Sequence, residues 1–283
     1  MALMRLMAWA SLTLGRRFSR AMLPLIAAYF LVTGRAARRS ARAFLERSLG
    51  RAPTLAEQYR LFFRFGATVH DRIYFLADRF DLFDIDVRGA ELFGAGGALL
   101  MGAHMGSFEV MRACGRHFGK RRVAMAMYED NARKVNEALA AIAPHARHDI
   151  VALGNAGSMI DLAARLDEGD LVGVLADRTL ADEPALRLDF LGHAAPFPTG
   201  PMRMAAALRR RVIFMVGLYR GGNRYDVRFE PLADFSDLES LSRAQRDQRV
   251  REAVAAYARR VEHHAREAPF NWFNFHDFWG PAP

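Results

Sequence analysis

Residues 102–110 read GAHMGSFEV and set an imidazole, His104, and a carboxylate, Glu109, four intervening residues apart. A carboxylate within reach of one imidazole nitrogen fixes the tautomer and supports the developing imidazolium. The other nitrogen is then left to take a proton from a hydroxyl, a service worth about 10²–10⁴-fold in rate. The run Gly97 to Gly102 reads as a buried strand, and Phe108 to Cys114 as the start of a helix capped near Ser107. His104 and Glu109 then flank a strand-to-helix corner, and the amides of Gly106 and Ser107 are placed to hold a developing oxyanion. Taken alone, His-x4-Glu recurs in many unrelated chains, so the reading depends on its surroundings.

Other chemistries fit less well. A serine hydrolase needs Gly-x-Ser-x-Gly, but Ser107 is followed by Phe108 and Glu109. His145 with His148 and His263 with His264 prompt a zinc site. No His-Glu-x-x-His accompanies them, and Cys114 is the one cysteine, so no metal is expected and these histidines read as surface residues. Cys114, among apolar neighbours, reads as a packing residue. His276 and Asp277 are adjacent, point apart in an extended chain, and are left out of the site.

Elements must carry these residues. Residues 53–83 hold Leu55, Tyr59, Leu61, Phe62, Phe65, Val69, Ile73, Leu76 and Phe80 at helical spacing. From residue 84 the texture changes to short apolar runs: FDIDVRG, GALLMGAH, RVAMAMY, DIVALG, LVGVLAD, RRVIFMVGLYRG and RYDVRFEPL. Strand-like runs alternating with helices predict an α/β fold with a largely parallel sheet covered by helices on both faces. Such sheets hold ligands at the carboxyl ends of their strands, where His104 lies. Arg243 to Glu267 predicts a late helix leading into the aromatic tail PFNWFNFHDFWG, whose rings read as cover for the core. Two regions follow: a helical segment over 1–51 and a single α/β domain over 52–283.

Charge separates these regions. Residues 1–51 hold ten arginines against one acid, Glu46, which accounts for the whole net charge of +9. A basic end beside apolar residues points to an anionic membrane surface rather than nucleic acid. The apolar stretch Ala21 to Gly34 has arginines on both sides. It is short of the roughly 20 residues needed to cross a bilayer, so the expectation is a helix embedded in or lying on the membrane.

In order, GAHMGSFEV, LVGVLADR (171–178) and DFLGHAAPFPTGPMRMAAAL (189–208) resemble the successive motifs of the late acyltransferases of bacterial lipid A biosynthesis, within the lysophospholipid acyltransferase superfamily. The resemblance runs from about residue 20 to the end. It implies a glycerol-3-phosphate-acyltransferase-like fold with an N-terminal membrane-associating helix at the cytoplasmic face of the bacterial inner membrane. The implied reaction moves a fatty acyl group from a thioester, on acyl carrier protein in preference to coenzyme A, to a hydroxyl of a lipid or glycolipid. No cofactor is implied. His104 falls on the general base and Glu109 on its orienting carboxylate. Asp177 falls on the acidic position of the second motif, where Arg178 stands in place of the family's frequent glutamine. Arg147 matches an upstream arginine, with Arg133 or Arg178 as alternatives. In the third motif Phe190, Gly192, Phe197, Pro198, Gly200 and Pro201 read as a stiff turn before a helix, with aromatics lining an acyl or acceptor channel. The tail NWFNFHDFW resembles a related branch associated with aryl polyene and flexirubin-type lipid pathways. The competing readings are a non-catalytic lipid-binding protein of the same fold and a lipid hydrolase.

Overall fold

The computed structural model describes residues 11–94, 96–110, 121–128, 150–154, 156–179 and 183–280. Three helices open the described chain: α1 (Arg16–Arg20), α2 (Leu23–Thr33) and α3 (Arg35–Leu49). α4 (Leu55–Leu76) begins at a capping box, in which Thr54 and Glu57 satisfy each other's backbone amides. The α/β region follows as β1 (Asp84–Arg88), β2 (Ala98–Gly102), β3 (Val123–Tyr128), β4 (Ile150–Leu153), α5 (Ala156–Asp167) and β5 (Leu171–Leu175). It continues as β6 (Ala185–Phe190), β7 (His193–Pro198), α6 (Gly200–Ala207), β8 (Arg211–Gly221), β9 (Arg224–Asp234) and α7 (Arg243–Glu267).

Seven strands form one sheet in the order β1-β9-β8-β2-β5-β3-β4. Every neighbouring pair is parallel except the β8–β9 hairpin. β2 lies between β5 and β8 and is buried at all its positions, which is why it reads as an unbroken apolar run. Successive residues of β2 feed opposite cores. Leu99 and Met101 join Phe44, Val254, Tyr257, Val261 and Trp272 on one face, and Ala98 and Leu100 join Phe75, Phe108, Tyr219 and Tyr225 on the other. The molecule is therefore mixed α/β, with a mostly parallel central sheet flanked by helices.

The third-motif region departs from the expected turn. Residues 185–198 form an antiparallel hairpin, β6 on β7, separate from the main sheet. Leu191 and Gly192 both have positive φ, the two-residue turn geometry whose twist matches that of paired strands. The helix after it, α6, does start at Gly200.

At the N-terminus α2 spans 11 residues and lays Leu23, Ala27 and Leu31 inward, at helical spacing, against α4. Among the described residues no helix is long and apolar enough to cross a membrane. α1 is pinned to α4 by Arg16, which donates to both carboxylate oxygens of the fully buried Asp71 at 2.8 and 2.9 Å. The Tyr225 hydroxyl donates to the same carboxylate at 2.9 Å.

Candidate active site

The carboxyl ends of β2 and β5 lie side by side, with Gly102 opposite Leu175. Two residues beyond each lie His104 and Asp177, so the parallel register delivers both to one point. Asp177 Oδ1 is 2.7 Å from His104 Nδ1, and Asp177 Oδ2 accepts the His104 backbone N–H at 3.0 Å. An ionised carboxylate only accepts, so Nδ1 carries the proton and Nε2 presents its lone pair. The His104 side chain is 31% exposed and that of Asp177 only 2%, so the imidazole can be reached while the carboxylate it meets is sealed.

A third donor reaches Asp177 from the aromatic tail: the Trp272 indole N–H, at 2.9 Å from Oδ2. Burial alone would push the Asp177 carboxyl up. The charge and hydrogen bond of His104, the Trp272 N–H and the nearby Arg178 guanidinium outweigh it and hold the group well below the ordinary carboxylate range. Tyr257 ties the other end of the corner down, its hydroxyl donating to the Gly102 carbonyl at 2.7 Å.

Glu109 does not orient the imidazole. After His104 the chain turns so that Glu109 lies on the side of α4, where its carboxylate pairs with Arg72. The carboxylate in contact with His104 is Asp177, the acid of the second motif.

The expected backbone oxyanion hole is also overturned. The Gly106 N–H donates to the Asn271 carbonyl and the Ser107 N–H to the Gly217 carbonyl, each at 2.8 Å, so both amides are already spent. Gly106 has φ +66°, and a Cβ there would run into the Gly217 carbonyl, so this turn needs glycine for its close approach to β8. The Ser107 hydroxyl is buried with no hydrogen-bond partner among the described residues, hence no Ser–His pair of the hydrolase kind.

Phe190 and Phe197 are fully buried and stand edge-on to each other at 5.4 Å. Phe190 also packs edge-on to Trp272, at 5.2 Å. They form the wall behind Trp272 and do not line an open channel. Gly192 closes the β6–β7 hairpin, Pro198 ends β7 opposite Ala185, and Gly200 opens α6. Arg178, exposed beside Asp177, is the one arginine of the three candidates within the described residues; Arg133 and Arg147 lie outside them, as do Cys114, His145 and His148.

His264 is not a surface residue. It is fully buried, stacked on Phe214 with the rings 4° from parallel, and bonded through Nε2 to Glu230 at 2.9 Å. His263, His264 and Glu267 bring ligand atoms within 4.8 Å of one another. Glu267, however, is engaged by Arg220 and Arg228 at 2.7 Å each, which suits an ion-pair network better than a cation.

Motif spacing missed Trp272, Asn271 and Arg72. One available signal was that a buried tryptophan must find an acceptor for its N–H.

A family model described as bacterial lipid A biosynthesis acyltransferase matches residues 2–280 of the chain. No curated protein matches it. Among solved structures, the 1-acyl-sn-glycerophosphate (LPA) acyltransferase PlsC from Thermotoga maritima aligns over 88% of this chain and 98% of its own, at 15% identity and a TM-score of 0.40.

Proposed function

The chain belongs to the bacterial lipid A biosynthesis acyltransferase family and is an acyltransferase acting on lipids, and from that premise we propose that His104, oriented by Asp177, is the general base of the transfer. A hydroxyl of a lipid or glycolipid acceptor gives its proton to His104 Nε2 as its oxygen attacks the carbonyl carbon of an acyl thioester. The imidazolium so formed is stabilised by Asp177 through Nδ1–H. The tetrahedral intermediate collapses by breaking the carbon–sulfur bond, and the thiolate leaves with the proton held on Nε2. An ester and a free thiol result, and His104 returns to its starting state. The thioester is the energised partner, so the scheme calls on no further group.

The observation that carries this reading is the 2.7 Å contact between His104 Nδ1 and the buried Asp177. It supplies the correct tautomer and leaves the basic nitrogen accessible. Arg178 is the described cation adjacent to this pair, and we assign it to the developing oxyanion. By family resemblance the donor is acyl carrier protein in preference to coenzyme A, and the site of action is the cytoplasmic face of the inner membrane. An exposed apolar surface supports membrane contact: Phe18, Met22, Leu25, Tyr29, Phe30 and Val32 around α2, with Phe65 and Val69 of α4. α2 is about 16 Å long at 1.5 Å per residue. Its length and flanking arginines fit a helix lying in the interface.

The test incubates membranes containing the protein with acyl thioesters on either carrier and with candidate lipid acceptors. Wild type forms ester and His104→Ala does not. Full activity in His104→Ala would sink the mechanism and favour a lipid-binding protein of the same fold. Release of free fatty acid without an acceptor would favour the hydrolase.

A further inference from the structure

After α7 the chain doubles back and lays residues 271–273 along the catalytic turn. The Gly106 N–H donates to the Asn271 carbonyl and the Phe273 N–H to the His104 carbonyl, both at 2.8 Å, with an antiparallel bridge between Met105 and Trp272. The Asn271 side chain grips the end of β8: its Oδ1 accepts from the Tyr219 N–H at 2.8 Å and its Nδ2 donates to the Tyr219 carbonyl at 3.2 Å. Asn271 and Trp272 are fully buried. This segment thus touches both partners of the pair, the backbone of His104 and the carboxylate of Asp177. Trp272 meets the carboxylate oxygen that also accepts the His104 amide, and so leaves Oδ1 to the imidazole.

We propose that Trp272 is a positioning residue for acyl transfer, its indole N–H holding the Asp177 carboxylate in place for His104 while residues 271–273 clamp the His104 turn. The proposal rests on the general-base reading above. A carboxylate sealed from water keeps its charge and its angle only if donors replace the solvent it has lost. Asp177 has three: the imidazole, one backbone amide and the indole. Removing the indole N–H leaves one oxygen with a single fixed donor, so the carboxylate can rotate and accepts more strongly from an imidazolium. Among the described residues, the charged or titratable groups facing the pair are Arg178 beside Asp177, Tyr257 from α7 and His276 from the tail.

The cleanest probe replaces Trp272 with 3-benzothienylalanine, which keeps the bicyclic shape and puts sulfur where the N–H was, alongside Trp272→Phe. The expected result for the isostere is a kcat lower by about tenfold or more, as for loss of one hydrogen bond to a charged group. KM for donor and acceptor stays unchanged. The acid limb of the kcat profile moves to higher pH, because a less satisfied carboxylate favours the protonated imidazole. A tail that served only as core cover would behave otherwise: the isostere would match wild type in kcat and in its acid limb, while Trp272→Phe would lose stability in a thermal melt. That pattern overturns the proposal. An inactive His104→Ala measured beside it would leave the general-base reading standing, so the two failures can be told apart.

Discussion

Asp177 and Glu109 are both buried carboxylates within a few residues of His104 in space or in sequence, yet they face different partners. Asp177 bonds the imidazole and is sealed behind it, whereas Glu109 meets the guanidinium of Arg72, which is 31% exposed. Asp177→Asn preserves shape but no longer enforces the Nδ1–H tautomer or supports an imidazolium, and kcat should fall about 10²–10⁴-fold. Glu109→Gln removes one side of a partly solvated ion pair and should lower stability by about 1 kcal/mol, leaving kcat within about tenfold of wild type. Steady-state kinetics paired with thermal melts separate the two. Glu109→Gln losing as much activity as Asp177→Asn at unchanged melting temperature would return the orienting role to Glu109. Both members of the His104–Asp177 pair were legible as residues in their motifs. The pairing itself was not, because it depends on β2 lying next to β5 in parallel register, a contact across 73 positions that no local spacing records.

The elements around this corner are set by close backbone approaches as much as by hydrophobic pattern. Gly106 and Gly217 sit against each other, the first with positive φ and the second beneath the Ser107 carbonyl and the Val110 side chain. Gly106→Ala must strain the turn or push it away from β8, at a cost of about 1–3 kcal/mol. The Gly106 amide, bonded to the Asn271 carbonyl, and the Ser107 amide, bonded to the Gly217 carbonyl, hold the His104 loop, so activity should drop with the melting temperature. Wild-type activity and stability in Gly106→Ala would mean that the turn tolerates displacement. All seven strands of the main sheet were readable: inner strands such as β2 and β5, covered on both faces, become continuous apolar runs, while the edge strand β1 keeps a polar–apolar alternation. The β6–β7 hairpin was not. Its solvent-facing positions, Pro196 and the Pro198 terminus obscured a strand, and its two-residue turn, Leu191–Gly192, is an uncommon pairing for a left-handed position. The motif residues Phe190 and Phe197 therefore looked like channel lining when they are the packing wall behind Trp272.

Across the whole molecule, charge and apolar exposure coincide at one end. All of the formal excess of +9 is carried by residues 1–51, the region that also exposes Leu25 at 66%, Tyr29 at 62% and Phe30 at 53%. The segment is not loosely attached: Asp71, itself held by the Tyr225 hydroxyl, secures Arg16, and Tyr219, at the end of the strand that supports the His104 turn, engages Arg20. A surface of this kind gains on the order of 1 kcal/mol per arginine near an anionic leaflet, a contribution that salt screens. The apolar contribution, about 1.5–3 kcal/mol for each fully inserted large side chain, is insensitive to salt. The protein should therefore float with anionic vesicles more strongly than with zwitterionic ones, and high salt should reduce the bound fraction without abolishing it. Leu25→Ser with Phe30→Ser should weaken the salt-resistant part by about one to two orders of magnitude at unchanged melting temperature, since both side chains already face outward. Complete release of wild type by salt alone would show that the arginines act without the apolar helix. The rigid route from α1 through Tyr219 to Asn271 would then orient the site against a membrane surface it never enters.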